Sequence, residues 1–336
     1  MHYHRLILGF LCMLLPFTVQ EMLPITAKAN TDNGANFTVS PVYPYNQVGG
    51  ETGYFQLNVT PKQQGTLTIK IANNDTKKQH FSITPTRATT TDSGQINYSP
   101  MNRPPDKSAQ TTLPHLLTSA QQVTIPARST KNVRFHYRVP HSGFNGTLLG
   151  GLYVYNTTRH SNQGGTVVNR YAMIIGLSLN EHPRRHLSPG LWAGPASVVR
   201  QGNSLLVQTK IRNYHPVYFR GMHLKATITK KGRKQVLAKQ TMPNGSMAPN
   251  SYFYYTLNVS EQVTQPGHYT EHLRIHIHNR TWRFNRNFTI TPADSVKQLI
   301  HVDHATHTWW IWLLLLLLLL AFGGGSYWLG QHKTKR

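Results

Sequence analysis

Between residues 309 and 329 the chain carries no charged side chain, and Leu313 to Leu320 form an unbroken run of leucine. At 1.5 Å of rise per residue, about 20 apolar residues cross a hydrocarbon core roughly 30 Å thick. The run therefore predicts one transmembrane α-helix. Trp309, Trp310, Trp312, Tyr327 and Trp328 stand at its ends, where amphipathic rings favour the headgroup layer. A helix of a globular core keeps a polar face, and this segment has none. His332, Lys333, Lys335 and Arg336 follow it and predict a cytoplasmic tail at 330–336. Everything before the helix is then expected outside the cell.

The other end points the same way. Arg5 precedes an apolar run at 6–17, and Ala27-Lys28-Ala29 offers a small-x-small cleavage site, so residues 1–29 read as a secretory signal. The chain's single cysteine, Cys12, lies inside that segment. A secreted protein without cysteine cannot rely on disulfides and must hold its fold by burial.

Five of the 35 lysines and arginines (Arg5, Lys28, Lys333, Lys335, Arg336) and one of the 11 acids (Glu21) lie outside 30–308, so that stretch holds 30 bases against 10 acids, a balance of +20. A surface this basic, held beside a membrane, collects anionic polymers.

Alternation dominates the middle of the chain. Val133, Phe135, Tyr137 and Val139 interleave with Arg134, His136 and Arg138; Leu67, Ile69 and Ile71 interleave with Thr66, Thr68 and Lys70; Leu205, Val207, Thr209 and Ile211 interleave with Leu206, Gln208, Lys210 and Arg212. Period two marks strands with one buried and one wet face. Turn signals recur at Asn73-Asn74-Asp75, Asp92-Ser93-Gly94, Lys231-Gly232, Pro243-Asn244-Gly245 and Pro266-Gly267, the spacing of antiparallel sandwiches. One helical turn is expected near 113–119 and a central strand at 171–179. The proline-bearing stretches 97–112 and 181–195 break the pattern, the second as a boundary. The fold class is all-β: two immunoglobulin-like β-sandwich domains plus one C-terminal transmembrane α-helix. The domains are placed at 30–182 and 188–292, with a hinge at 183–187 and a juxtamembrane stalk at 293–308.

Asn36-Phe37-Thr38-Val39-Ser40-Pro41-Val42-Tyr43-Pro44, followed by Asn46-Gln47, opens the first domain; Tyr54-Phe55-Gln56-Leu57, Ile71-Ala72-Asn73-Asn74 and the stretch 146–154 follow. In the second, Met247-Ala248-Pro249-Asn250-Ser251 precedes Pro266-Gly267-His268-Tyr269, and Trp282-Arg283-Phe284 precedes Phe288-Thr289-Ile290. With signal, terminal helix and basic tail, the chain resembles the WxL-interacting proteins of Gram-positive bacteria over nearly its whole length. The resemblance implies an N-terminal peptidoglycan-binding domain, a second domain that binds host components such as extracellular matrix, and partner surface proteins that carry WxL domains. Trp312-Leu313-Leu314 spells the same string by chance inside the membrane helix.

Candidate sites follow from charge and pattern. Lys230, Lys231, Arg233 and Lys234 surround Gly232 at an expected hairpin tip, and Arg134 and Arg138 line an outer strand face; both suit phosphates or carboxylates of wall polymers. In the run Tyr252, Phe253, Tyr254 and Tyr255 two rings must face out if two face in, offering a surface for sugar or protein. Tyr153 and Tyr155 pose the same possibility in the first domain. His268-Tyr269-Thr270-Glu271-His272 spells H-x-x-E-H, the string of a zinc peptidase helix. Here Leu273, Ile275 and Ile277 alternate with Arg274, His276 and His278, so the segment reads as a strand, and Glu271 points away from His268 and His272. His272, His276 and His278 are instead candidates for a pH switch or a transition metal. No nucleophile motif and no phosphate-binding glycine loop occurs. The reading is a non-enzymatic membrane-anchored surface adaptor with no cofactor. A metal-dependent surface hydrolase and a nucleic-acid-binding receptor are the alternatives, and the second lacks the stacked-aromatic and basic pattern of such modules.

Overall fold

The computed structural model describes residues 35–158, 171–182, 187–260, 263, 265–294, 312 and 315–317. The expected signal at 1–29, the tail at 330–336, and nearly all of the hinge, stalk and membrane helix lie outside the described residues. Positions 312 and 315–317 are helical, and no helix among the described residues is long and apolar enough to cross a membrane.

The described chain is all-β. The first half holds β1 (Phe37–Val42), β2 (Phe55–Val59), β3 (Gln64–Asn73), β4 (Gln79–Arg87), the short β5 (Thr89–Thr90) and β6 (Ile96–Asn97), the helical turn α1 (Leu113–Leu116), β7 (Gln121–Ile125), β8 (Thr130–Arg138), β9 (Gly146–Asn156) and β10 (Ala172–Glu181). The second holds β11 (Leu191–Gln201), β12 (Ser204–Asn213), β13 (Phe219–Lys230), β14 (Val236–Met247), β15 (Ser251–Asn258), β16 (Gly267–Ile277) and β17 (Arg280–Ile290). In the first half a three-stranded sheet, β1-β3-β8, accompanies a five-stranded sheet, β2-β10-β9-β4-β7. In the second, β11-β12-β15 accompanies β14-β13-β16-β17. All pairings are antiparallel except β2 with β10.

Alternation decides which faces are buried. Leu67, Ile69, Ile71, Val133, Phe135, Tyr137 and Val139 are buried, while Lys70, Arg134, His136 and Arg138 are exposed. Leu205, Val207, Thr209 and Ile211 enter a core shared by both second-half sheets, with Phe253, Tyr255, Leu273 and Ile275. Burying a side chain of this size stabilises by about 1.5–3 kcal/mol. The apolar strand at 171–179 is β10, flanked on both sides by β2 and β9.

One expected turn is a different device. Pro243-Asn244-Gly245 lies inside β14, where the register against β13 shifts and Asn244 takes a φ of 55°. An inserted residue of this kind bends a strand without ending it, so a sequence that spells a turn makes a β-bulge here.

The two halves repeat one buried polar device. At the end of β3, Asn73 Nδ2 donates to the Lys77, Ile125 and Pro126 carbonyls, and its Oδ1 accepts from the Asp75 amide. At the end of β12, Asn213 Nδ2 donates to the Val217 and Ala248 carbonyls, and its Oδ1 accepts from the His215 amide. Each amide closes the turn after its strand and ties it to a distant segment. Removing a buried partner leaves carbonyls unpaired. Asn73→Ala and Asn213→Ala are each expected to lower stability by about 2 kcal/mol in urea unfolding; a change within error would show that water replaces the amide.

Candidate functional site

The outer face of β1-β3-β8 is a polar, basic surface. Its register sets Lys70 opposite Asn132, Thr68 opposite Arg134 and Gln64 opposite Arg138. Between the two arginines, His136 Nδ1 meets the Thr66 hydroxyl at 2.9 Å. The free edge of β8 is occupied, because the Thr118 amide donates to the His136 carbonyl and Gln121 Nε2 to the Arg134 carbonyl. Covered edges do not recruit strands, so the β8 side of this sheet is closed at these two positions.

The basic tip joins β13 to β14. Gly232, at φ 78°, makes the turn, the Arg233 amide donates to the Lys230 carbonyl, and the Lys231 amide donates to the His268 carbonyl. Lys230, Lys231, Arg233 and Lys234 are all exposed. Lys230 and Arg233, with Gln235, Leu237, Val263 and Tyr269, flank an open hollow of about 390 Å³.

The aromatic run is placed differently from the expectation. Phe253 and Tyr255 are buried in the core, as one side of a strand must be. Tyr252 and Tyr254 share the other side, but that side is covered. Tyr252 is only 8% exposed, with Lys210 Nζ 3.6 Å and the Arg103 guanidinium 5.4 Å from its ring centre. Tyr254 packs edge-on against Tyr252 at 5.8 Å and is half-buried. The run is therefore not an open platform for sugar. Tyr153 and Tyr155 stack on each other at 6.2 Å on β9 and are half-buried. Exposed rings lie elsewhere, among them Tyr45 at 96%, with Tyr54, Tyr171, Trp192, Tyr214 and Tyr218; no single run marks them.

What covers Tyr252 is an arm, residues 88–112 of the first half. Arg103 donates to the Thr90 and Tyr252 carbonyls and pairs with Asp92 at 2.9 Å, and Asp92 accepts from the Tyr254 amide. Thr90 and Ser251 hydroxyls meet at 2.6 Å in a buried setting. Asp106 receives two Arg212 hydrogen bonds of 2.6 Å, and the Arg212 guanidinium lies over Trp192. Burial pushes the Asp106 carboxyl up, but the Arg212 and Ser108 hydrogen bonds and the Arg212 charge outweigh it and hold it below the usual range. The arm caps the open edge of β15 and fixes one half against the other.

His268 and His272 lie on the outer face of β16, and Glu271 points into the core. The H-x-x-E-H string thus places its carboxylate on the far side of the sheet from both imidazoles. Among the described residues no cluster of three histidine, cysteine or acidic side chains is arranged to hold a metal. Glu271 Oε2 accepts from the Thr209 hydroxyl at 2.5 Å. Burial drives the Glu271 carboxyl up to about 7, against the opposing Thr209 hydrogen bond and Arg286 charge. Arg286 itself donates to the Ala193 and Gly194 carbonyls beside a β11 irregularity and so links the two sheets. His272 is held between Thr229 and Asn285, and His276 Nδ1 meets Thr281. His278 has left the strand and sits in the following turn at φ 52°.

Comparison with known proteins adds identity to this geometry. Residues 37–156 match the family model of the WxL Interacting Protein peptidoglycan binding domain, and residues 162–299 match that of the WxL Interacting Protein host binding domain. No relative among curated proteins matches the chain. Among solved structures, a chain from a chaperone–tip adhesin complex of CFA/I fimbriae is 9% identical, covering 75% of this chain and 99% of that one at a TM-score of 0.30. The class 5 fimbriae chaperone CfaA is 12% identical over 75% and 99%, at 0.27. A chain from the CsuC–CsuE pre-assembly complex of Acinetobacter baumannii is 12% identical over 75% and 98%, at 0.31. The two family models lie in order along the chain and together span most of it: this chain belongs to the WxL-interacting protein family.

Proposed function

We propose that the chain is a membrane-anchored surface adaptor that holds peptidoglycan with its first half and a host component with its second, alongside a WxL-domain partner protein. In this reading two immunoglobulin-like sandwiches stand on a terminal membrane helix, and tethering raises their effective concentration at the wall. The observation that carries the reading is the pairing of a peptidoglycan-binding and a host-binding family model on one chain. The basic outer faces support it, as do the exposed side chains of Trp312, Leu315, Leu316 and Leu317 in their helical segment, which suit a lipid surround. Both family models describe binding modules, which favours a non-enzymatic role. The wall-facing candidates are Arg134 and Arg138, with Lys70 beside them.

The test is sedimentation of residues 30–308 with purified cell wall across a salt series. Charge-driven capture releases counterions, so affinity is expected to fall roughly tenfold or more between about 0.05 and 0.2 M salt. Binding that is the same at both ends of the series would remove the electrostatic basis of the proposal.

A further inference from the structure

The outer face of β14-β13-β16-β17 concentrates cations in a way that no single strand reveals. Register sets Lys225 opposite Arg274 and Arg274 opposite Arg283. Neighbouring strands lie about 4.8 Å apart, so three cationic side chains cross the sheet in one row about 10 Å wide. The adjacent row on one side pairs His223 with His276 and Thr281, and the row beyond the other side aligns Lys239, Thr227, His272 and Asn285. Lys225, Arg274 and Arg283 are exposed, and none is in an ion pair among the described residues. Glu271, the one carboxylate on these four strands, points to the opposite side.

Like charges placed directly across a strand pair destabilise a sheet. Three cations in line, with no acid on the face, need a counter-charge from outside. Two of them are guanidinium groups, whose forks fit the oxygens of an oxyanion. The flanking rows present Thr227, Asn285 and Thr281, which can hydrogen-bond sugar hydroxyls. The aromatic residues of β17, Trp282, Phe284 and Phe288, face the core, so the rows lack the ring anchors on which protein partners dock.

We propose that this face is a binding site for a linear sulfated glycan, with Lys225, Arg274 and Arg283 on the sulfate groups and the threonine and asparagine rows on the sugar. The proposal rests on the host-binding reading of residues 162–299 and names the chemistry of the ligand. It also separates this face from the Lys230–Lys234 tip, which lies at the end of the same sheet.

Heparin serves as the probe, with residues 30–308 as the protein. The triple variant K225A/R274A/R283A is expected to weaken heparin binding at least roughly tenfold. A charge-matched control, K77A/K78A/K131A on exposed positions of the first half, is expected to stay within about twofold. Melting temperatures of both variants near the parent value establish that the fold is intact. An equal loss in the control, or loss only when the four tip residues are replaced, overturns the assignment. Adhesion to matrix-coated surfaces is measured in parallel, before and after enzymatic removal of sulfated glycan. Adhesion insensitive to that removal, with unchanged heparin binding in the triple variant, defeats the glycan site while leaving host binding in place; heparin binding lost in the triple variant, without any matrix adhesion, supports the site and defeats the host-binding reading.

Discussion

Asp106→Asn is expected to lower the stability of residues 30–308 by about 3–5 kcal/mol. The substitution keeps the shape of the side chain but leaves Arg212, 12% exposed, without its counter-charge. Breaking a largely buried pair costs more than the pair contributes, because one ion remains desolvated. For a unit of this size each kcal/mol moves the melting temperature by about 2–4 °C, so a drop of roughly 6–20 °C is expected. The double variant D106L/R212M removes both charges and should lose less than the sum of the single changes. The pH dependence has a definite sign. A carboxyl held below its ordinary range stabilises the fold at pH values above the unfolded pKa near 4, and that contribution disappears as pH falls through the folded value. A melting temperature unaltered by D106N would show that the arm does not couple the halves.

Glu271 predicts the opposite slope. Its carboxyl lies near 7 in the fold and near 4.5 without it. The folded state therefore retains a proton that the unfolded state gives up between those values. Stability from this group is complete below about pH 4.5 and declines until about pH 7, by about 3 kcal/mol in total. Glu271→Gln keeps a side chain of the same length that Thr209 can meet, and carries no charge at any pH. The variant should match the parent near pH 4.5 and exceed it by about 3 kcal/mol at pH 8. Comparing the two proteins at each pH cancels every contribution that both share. A difference that does not change with pH would mean that Glu271 titrates as an ordinary carboxyl.

These two groups also show what the sequence discloses and what it hides. Strands were legible wherever one face is buried, because Val133, Phe135 and Tyr137, or Leu205, Val207 and Ile211, alternate without interruption. The same logic turned His268, Glu271 and His272 to opposite sides of a strand. The Asp106–Arg212 pair was invisible, since it joins an irregular proline-bearing segment to a strand more than 100 positions away. The cover over Tyr252 was hidden for the same reason. The row Lys225, Arg274 and Arg283 belongs to three strands, and only their register assembles it. Pro243-Asn244-Gly245 has the residues of a turn, and only the neighbouring strand decides that it becomes a bulge.

An adaptor must hold both ligands at once, and this is the most direct test of the account. Residues 30–308 are bound to purified cell wall at low salt, and labelled heparin is then titrated onto the sediment. The account predicts that heparin joins the wall-bound protein with the affinity it has for free protein, while the protein stays in the pellet. Release of the protein in proportion to added heparin would contradict it, because the two polymers would then share one basic surface.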